Sequence, residues 1–318
     1  MIAQILAVLL AVTAPPAPPP VPGGGTSPRV CDGALPDPDN PERPVPVRVR
    51  LPSGPGPHPV ILFSHGLGGS VEAGTRWATA WSEAGFAVIH LQHPGSDVSL
   101  WRGLRGQEAL AALRKGMDAK QFIARVEDVK LVLDAVATPV AIGECPLSQL
   151  DSARIGIAGH SFGAQTVQAL AGQQFRTPSG LISVGDPRIR AAIAFSPAPA
   201  RAEPDESAFG KITMPFLSVT GTRDEVPGIS DVSPKDRTRP FHAMPAGQKY
   251  LLVLDGADHM VFSGGEQRRP ATSNDTRIER VVTEVSVAFW KAMLDPTPTP
   301  NILDHPAALG SKDRWMAK

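Results

Sequence analysis

Arg154-Ile155-Gly156-Ile157-Ala158-Gly159-His160-Ser161-Phe162-Gly163-Ala164-Gln165 passes from a short apolar run into a helical stretch, with a serine at the junction. Residues 154–158 read as a strand and residues 161–171 as a helix. Gly159 and Gly163 flank Ser161 at the spacing G-x-S-x-G. Between a strand and a helix, that spacing places the serine in a strained turn, and the glycines leave room where a Cβ would obstruct the backbone. The turn lifts the serine oxygen to the rim of a sheet, near the positive end of the following helix, where negative charge is stabilised. Ser161 is the candidate nucleophile.

The same alternation of strand and helix extends in both directions. Residues 59–63 and 86–91 are continuous apolar runs, as central strands buried on both faces would be. Residues 45–51 alternate apolar and polar and include Pro46, which suits an edge strand. Residues 71–84 carry Trp77 and Trp81 one helical turn apart. Residues 120–137 repeat Phe122, Val126, Val129, Leu133 and Val136 at helical steps. Further strands are expected at 191–195, 215–220 and 250–254, and a last helix at 275–294, with Ile278, Val281, Val285, Phe289 and Ala292 inward. The pattern predicts an α/β fold with a mostly parallel central sheet flanked by helices on both faces, formed by residues 44–295. Two segments without clear periodicity, 95–116 and 196–211, leave the carboxyl ends of strands, where they would act as partial lids or simply as long surface loops.

A serine hydroxyl needs a base, because its pKa lies far above neutral pH and it is therefore almost wholly protonated. Of eight histidines, His259 follows the last predicted strand in Leu254-Asp255-Gly256-Ala257-Asp258-His259 and is the candidate base. His242 and His305 lie where no strand would hold them. The acid that orients the imidazole is expected after the 215–220 strand, at Asp224, with Glu225 as its rival and Asp258 as a weaker one. Oxyanion donors are expected at the backbone N–H groups of Phe162, next to the nucleophile, and of Leu67 in Phe63-Ser64-His65-Gly66-Leu67-Gly68-Gly69-Ser70. His65, Gly66, Trp101 and His160 are assigned to substrate contact, with the His160 ring directed away from the serine side chain. His90, His93 and Asp97 come from one short loop, a poor source of converging ligands, so no metal is expected.

The chain has 318 residues, 42% hydrophobic and 19% charged, with 31 basic and 31 acidic side chains. The balance leaves no like-charged block for nucleic acid and suits a small neutral substrate. Residues 2–14 are apolar, too short to span a membrane but long enough for a signal peptide over 1–14, so a secreted or periplasmic location is expected, with a cytoplasmic one as the alternative. Residues 15–43 read as a Pro/Gly-rich linker and N-terminal arm, and 296–318 as a polar, loosely held tail. Cys31 and Cys145 either pair or remain free thiols.

These motifs resemble the α/β-hydrolase superfamily, and within it the bacterial group described as predicted dienelactone hydrolases. The chain is also similar to platelet-activating-factor acetylhydrolases and, more distantly, to cutinases. The resemblance spans residues 45–294 and rests on Phe63-Ser64-His65-Gly66-Leu67-Gly68, His93-Pro94-Gly95-Ser96-Asp97, Gly159-His160-Ser161-Phe162-Gly163 and Asp255-Gly256-Ala257-Asp258-His259. It implies oxyanion donors at Leu67 and Phe162. Dienelactone hydrolases carry a cysteine where this chain has Ser161, and the acetylhydrolase acid position reads Phe195-Ser196-Pro197, so the acid is placed as in cutinases, at Asp224. The expected function is cofactor-free cleavage of a carboxylic ester through an acyl-enzyme; acyl transfer, peptide hydrolysis and a non-catalytic binding role are the alternatives.

Overall fold

The computed structural model describes residues 28–138, 141–143, 145–265, 272–295, 303–304, 306 and 309–318. The apolar 2–14 run, the 15–25 linker and His305 lie outside these residues. Among the described residues the chain runs β1 (Arg29–Leu35), β2 (Val45–Leu51), β3 (His58–Ser64), α1 (Thr75–Glu83), β4 (Ala87–Leu91), α2 (Gly106–Lys115), α3 (Ala119–Ala137) and β5 (Leu150–His160). It continues through α4 (Phe162–Leu170), β6 (Gln174–Thr177), β7 (Gly180–Ser183), β8 (Ile189–Phe195), α5 (Asp205–Phe209), β9 (Phe216–Arg223), α6 (Arg239–Ala243), β10 (Lys249–Asp258), α7 (Ser273–Leu294) and β11 (Arg314–Ala317).

Nine strands form one sheet in the order β1-β2-β4-β3-β5-β8-β9-β10-β11. The run from β4 to β10 is parallel, and β1, β2 and β11 pair antiparallel at the two margins. Every residue of β3 and β4 is buried, which is why both read as unbroken apolar runs. Their side chains alternate between two cores. Val60, Leu62, Ala87 and Ile89 join the α3 and α4 side, whereas Ile61, Phe63 and Val88 join the α1 and α7 side. Trp77 and Trp81 are buried on α1 and bridge to the far end of the chain, their indole N–H groups donating to Phe262 O and Ser286 Oγ. A Thr272–Asp275 capping box starts α7, satisfying first-turn amides that have no partner within the helix.

Four expectations change. The 45–51 strand is not at the edge, because β1 pairs outside it over its whole length. β1 has little apolar pattern of its own and is held by non-local bonds: Cys31 is disulfide-bonded to Cys145, and Arg48 forms an ion pair with Asp32. The C-terminal tail is not loose at its end, since β11 adds to β10, with Trp315 stacked on Tyr250 and Asp313 paired to Arg277. Segment 95–116 contains α2, and segment 196–211 contains the short α5. Finally, β6 and β7 form a separate hairpin that the sequence pattern does not announce.

Candidate active site

Ser161 lies between β5 and α4, with φ 57° and ψ −112°, the strained turn expected from the motif. The two glycines are required by contact. A Cβ on Gly163 would collide with the Ser64 carbonyl of neighbouring β3, and one on Gly159 would meet the Gly163 carbonyl. Gly66 also approaches closely: a Cβ there would lie 3.5 Å from that of Ser161.

Parallel strands β9 and β10 end beside each other and deliver the next two residues. Asp224, wholly buried, accepts a 2.6 Å hydrogen bond from His259 Nδ1 on Oδ1 and one of 2.8 Å from Thr220 Oγ1 on Oδ2. Burial alone would raise the Asp224 pKa, but the His259 hydrogen bond and the charge of Arg237 outweigh it and hold the carboxyl below its ordinary value. With Nδ1 committed to Asp224, Nε2 is the imidazole nitrogen left for Ser161. The His160 ring packs against His259, its centroid 4.6 Å from that ring, and Nε2 of His160 bonds the His259 carbonyl at 2.9 Å. Burial, then the neighbouring His259, pulls the His160 pKa well down, so His160 is neutral and its Nε2 is the donor in that bond. Among the described hydrogen bonds none joins Ser161 directly to His259; such bonds are commonly long without substrate and tighten in the complex.

The rivals are otherwise engaged. Glu225 is exposed, and Asp258 Oδ1 accepts the amides of Met260 and Val261. His242 lies on α6, against Phe241.

The loop after β3 folds over its own backbone. Gly68 N–H donates to Ser96 O and Gly69 N–H to Gly66 O, while among the described hydrogen bonds the N–H groups of Leu67 and Phe162 have no protein acceptor. Beneath the loop lies a buried polar network. His93 Nδ1 donates to Asp128 Oδ2 at 2.9 Å and its Nε2 accepts from Ser64 Oγ at 2.9 Å. Arg43 also binds Asp128, at 2.5 Å. Burial raises the Asp128 pKa despite Arg43 and depresses those of His65 and His93.

Three of the residues assigned to substrate contact form hydrogen bonds within the protein. His65 is fully buried, with Nδ1 on the Gly66 carbonyl and Nε2 accepting the His93 N–H. His160 supports the His259 backbone, as above. Trp101 Nε1 donates to Gly68 O at 2.8 Å, so the indole braces the loop from behind. His90, His93 and Asp97 diverge: His90 bonds Ala73 O and has its pKa pulled to about 3 by burial, while Asp97 accepts from Gln92 and Ser99. Leu67 and Ser161 line one small cleft with Met117, Gln165, Ser196 and Ala198. Met117, Gln165 and Ala198 are shared with a neighbouring cavity of about 290 Å³ walled by Phe122, Phe162 and Phe175.

Two solved structures share this architecture. A ferulic acid esterase from Streptomyces cinnamoneus matches with a TM-score of 0.59 and 20% identity, over 91% of this chain and 96% of its own. The crystal structure of a 2,6-dihydroxy-pseudo-oxynicotine hydrolase matches with a TM-score of 0.53 and 17% identity, over 86% of this chain and 71% of its own. The chain has the α/β-hydrolase fold. No family model and no curated protein sequence matches it.

In this fold, sequence reasoning missed the arginines that hold the candidate site. Arg237 follows β9 in a stretch without periodicity, and nothing local marks it. Arg125 and Asp128 had a signal: a charged pair three residues apart, beside Val126 and Val129 of the α3 apolar stripe.

Proposed function

We propose that the chain is a serine hydrolase that cleaves carboxylic esters through an acyl-enzyme. One observation carries this reading: His259, its Nδ1 fixed on buried Asp224, is bonded through its carbonyl by His160, the residue just before the strained turn that presents Ser161. In the proposed cycle His259 Nε2 removes the Ser161 proton as Oγ attacks the ester carbonyl. Asp224 keeps the imidazole in the tautomer that leaves Nε2 basic and stabilises the imidazolium that forms. The carbonyl oxygen, now an oxyanion, is met by the N–H groups of Leu67 and Phe162, whose lack of an acceptor among the described hydrogen bonds supports that use. His259 then protonates the leaving alcohol, and water, activated by the same nitrogen, releases the acid.

The Phe122-Phe162-Phe175 cavity beside the cleft supports a substrate with an apolar group of moderate size. The names of the two structural neighbours, a hydrolase and an esterase, agree with the reaction class. The Cys31–Cys145 disulfide, a bond typical of oxidising compartments, supports a secreted or periplasmic location. The test is covalent labelling by an organophosphate, with the adduct mapped by mass spectrometry, alongside p-nitrophenyl ester hydrolysis. The adduct is expected on Ser161, and Ser161→Ala is expected to lose both labelling and turnover. Ester hydrolysis at the wild-type rate in Ser161→Ala would overturn the proposal.

A further inference from the structure

One buried cation touches both halves of the oxyanion site. Arg125, on α3, has no exposed surface. Its Nη1 donates to the His65 carbonyl at 2.7 Å and to Ser64 Oγ at 3.3 Å, its Nη2 reaches the Gly66 carbonyl at 3.4 Å, and its Nε donates to Ser96 Oγ at 2.9 Å. The same guanidinium stands 4.5 Å over the Phe162 ring. His65 and Gly66 immediately precede Leu67, and Phe162 carries the other N–H. We infer that Arg125 is a positioning residue that sets the two oxyanion donors relative to each other, by drawing the His65 and Gly66 carbonyls inward and holding the first residue of α4 through its ring.

The physical reason lies in peptide geometry. A carbonyl turned into the protein constrains the peptide plane it belongs to, so fixing the His65 and Gly66 oxygens constrains the amide of Leu67 that follows. A guanidinium suits the task because its planar fork has five donors and its face stacks on an aromatic ring. Lysine has neither property. Burial lowers the Arg125 pKa to about 9, which leaves it charged at neutral pH, so a fixed positive charge also lies behind the place where negative charge develops. The carboxylates of Asp128 and Asp97 act in the opposite direction on that pKa and retain the charge.

The inference rests on the ester-hydrolase reading for its consequence, but not for its structural core, so the experiment has two arms. The variants are Arg125→Lys and the milder Ser96→Ala, which removes only the anchor of Nε. In the first arm, amide hydrogen exchange is followed across residues 64–69. Arg125→Lys is expected to accelerate it about tenfold while peptides from β9 and β10 keep wild-type rates, and Ser96→Ala to accelerate it by a smaller factor. Unchanged exchange at 64–69 in both variants overturns the inference. If Arg125→Lys does not fold, Ser96→Ala decides.

In the second arm, kcat and KM are measured on a matched ester and thionoester, whose sulfur makes little use of oxyanion donors. A misplaced donor is expected to cost about 100-fold in kcat on the ester, with KM within threefold and a much smaller loss on the thionoester. Equal losses on both substrates would indicate general damage to the site and also overturn the inference. Should the wild type hydrolyse no ester while exchange at 64–69 still accelerates in the variants, the ester-hydrolase reading fails and the positioning role stands.

Discussion

Arg237 Nε lies 2.9 Å from Asp224 Oδ1, the same oxygen that receives His259 Nδ1 at 2.6 Å. The guanidinium also donates to the backbone carbonyls of Asp224, Ser196 and Pro197, so it joins the acid to the loop after β8. A buried carboxylate would resist ionisation without such company. Arg237 thus helps keep Asp224 charged, and two testable consequences concern this pair and its neighbours; a third concerns the disulfide and a fourth the aromatic cavity.

Arg237→Met removes a positive charge beside Asp224, so the carboxyl pKa rises from its depressed value. Activity on the acid side is then lost at higher pH than in the wild type, and kcat at neutral pH is expected to fall about tenfold, a loss of about 1.4 kcal/mol in the barrier. The stability effect has the matching sign. A carboxyl with a depressed folded-state pKa contributes stability above its ordinary value, about 3.9, and that contribution disappears as pH falls through the folded-state value. Melting temperature between about pH 2 and 5, and kcat/KM between about pH 4 and 8, check the two; coincident acid limbs for the two proteins would contradict this role.

Asp224→Asn preserves shape but favours the wrong imidazole tautomer, and kcat is expected to fall by about 10³- to 10⁴-fold. Glu225→Gln, at the exposed neighbouring position, should stay within about twofold of the wild type. Steady-state kinetics of the two variants, measured side by side, separate the acid from its rival. A large loss in Glu225→Gln with a small one in Asp224→Asn would reverse the assignment.

Replacing Cys31 and Cys145 by serine releases a crosslink between residues 114 apart in sequence. Crosslinks that close long loops restrict the unfolded chain most, and stability is expected to fall by about 2–4 kcal/mol. Urea unfolding measures this. Because the bond lies at β1, far from the strand ends that carry Ser161 and His259, turnover by the folded double variant should remain near that of the wild type.

Phe122→Ala removes one wall of the three-ring cavity, where Phe122 stacks on Phe162 and meets Phe175 edge-on. Benzoyl esters are expected to lose about tenfold in kcat/KM, in line with about 1 kcal/mol for a lost aromatic contact plus some burial. Acetyl esters, too small to reach that wall, should change less than threefold. A uniform loss across the series would show that the cavity does not receive the substrate.

Much of this was legible in sequence because it is local. Gly159-His160-Ser161-Phe162-Gly163 specifies a turn that a handful of adjacent residues determine, and residues buried on both faces of β3 and β4 leave an unmistakable apolar run. The pairing of Asp224 with His259 was legible because each follows a strand, and strand ends of a parallel sheet converge on one rim. β1 and β11 were not, because four to seven residues of weak pattern become strands only when a partner edge, a disulfide or a stacked ring supplies what their own composition lacks.

Sequence alone determined the chemistry available to the chain: a serine in a strained turn, an imidazole and a carboxylate in the right chain order, and amides where glycine permits close approach. Tertiary structure decided which groups serve the site and which support it. His65, His160 and Trp101 were drawn into backbone contacts, and Arg125 and Arg237 were brought from distant elements to hold the loop and the acid. Side-chain direction and burial emerge only when separated segments pack, because a buried polar group must find a partner wherever the fold provides one.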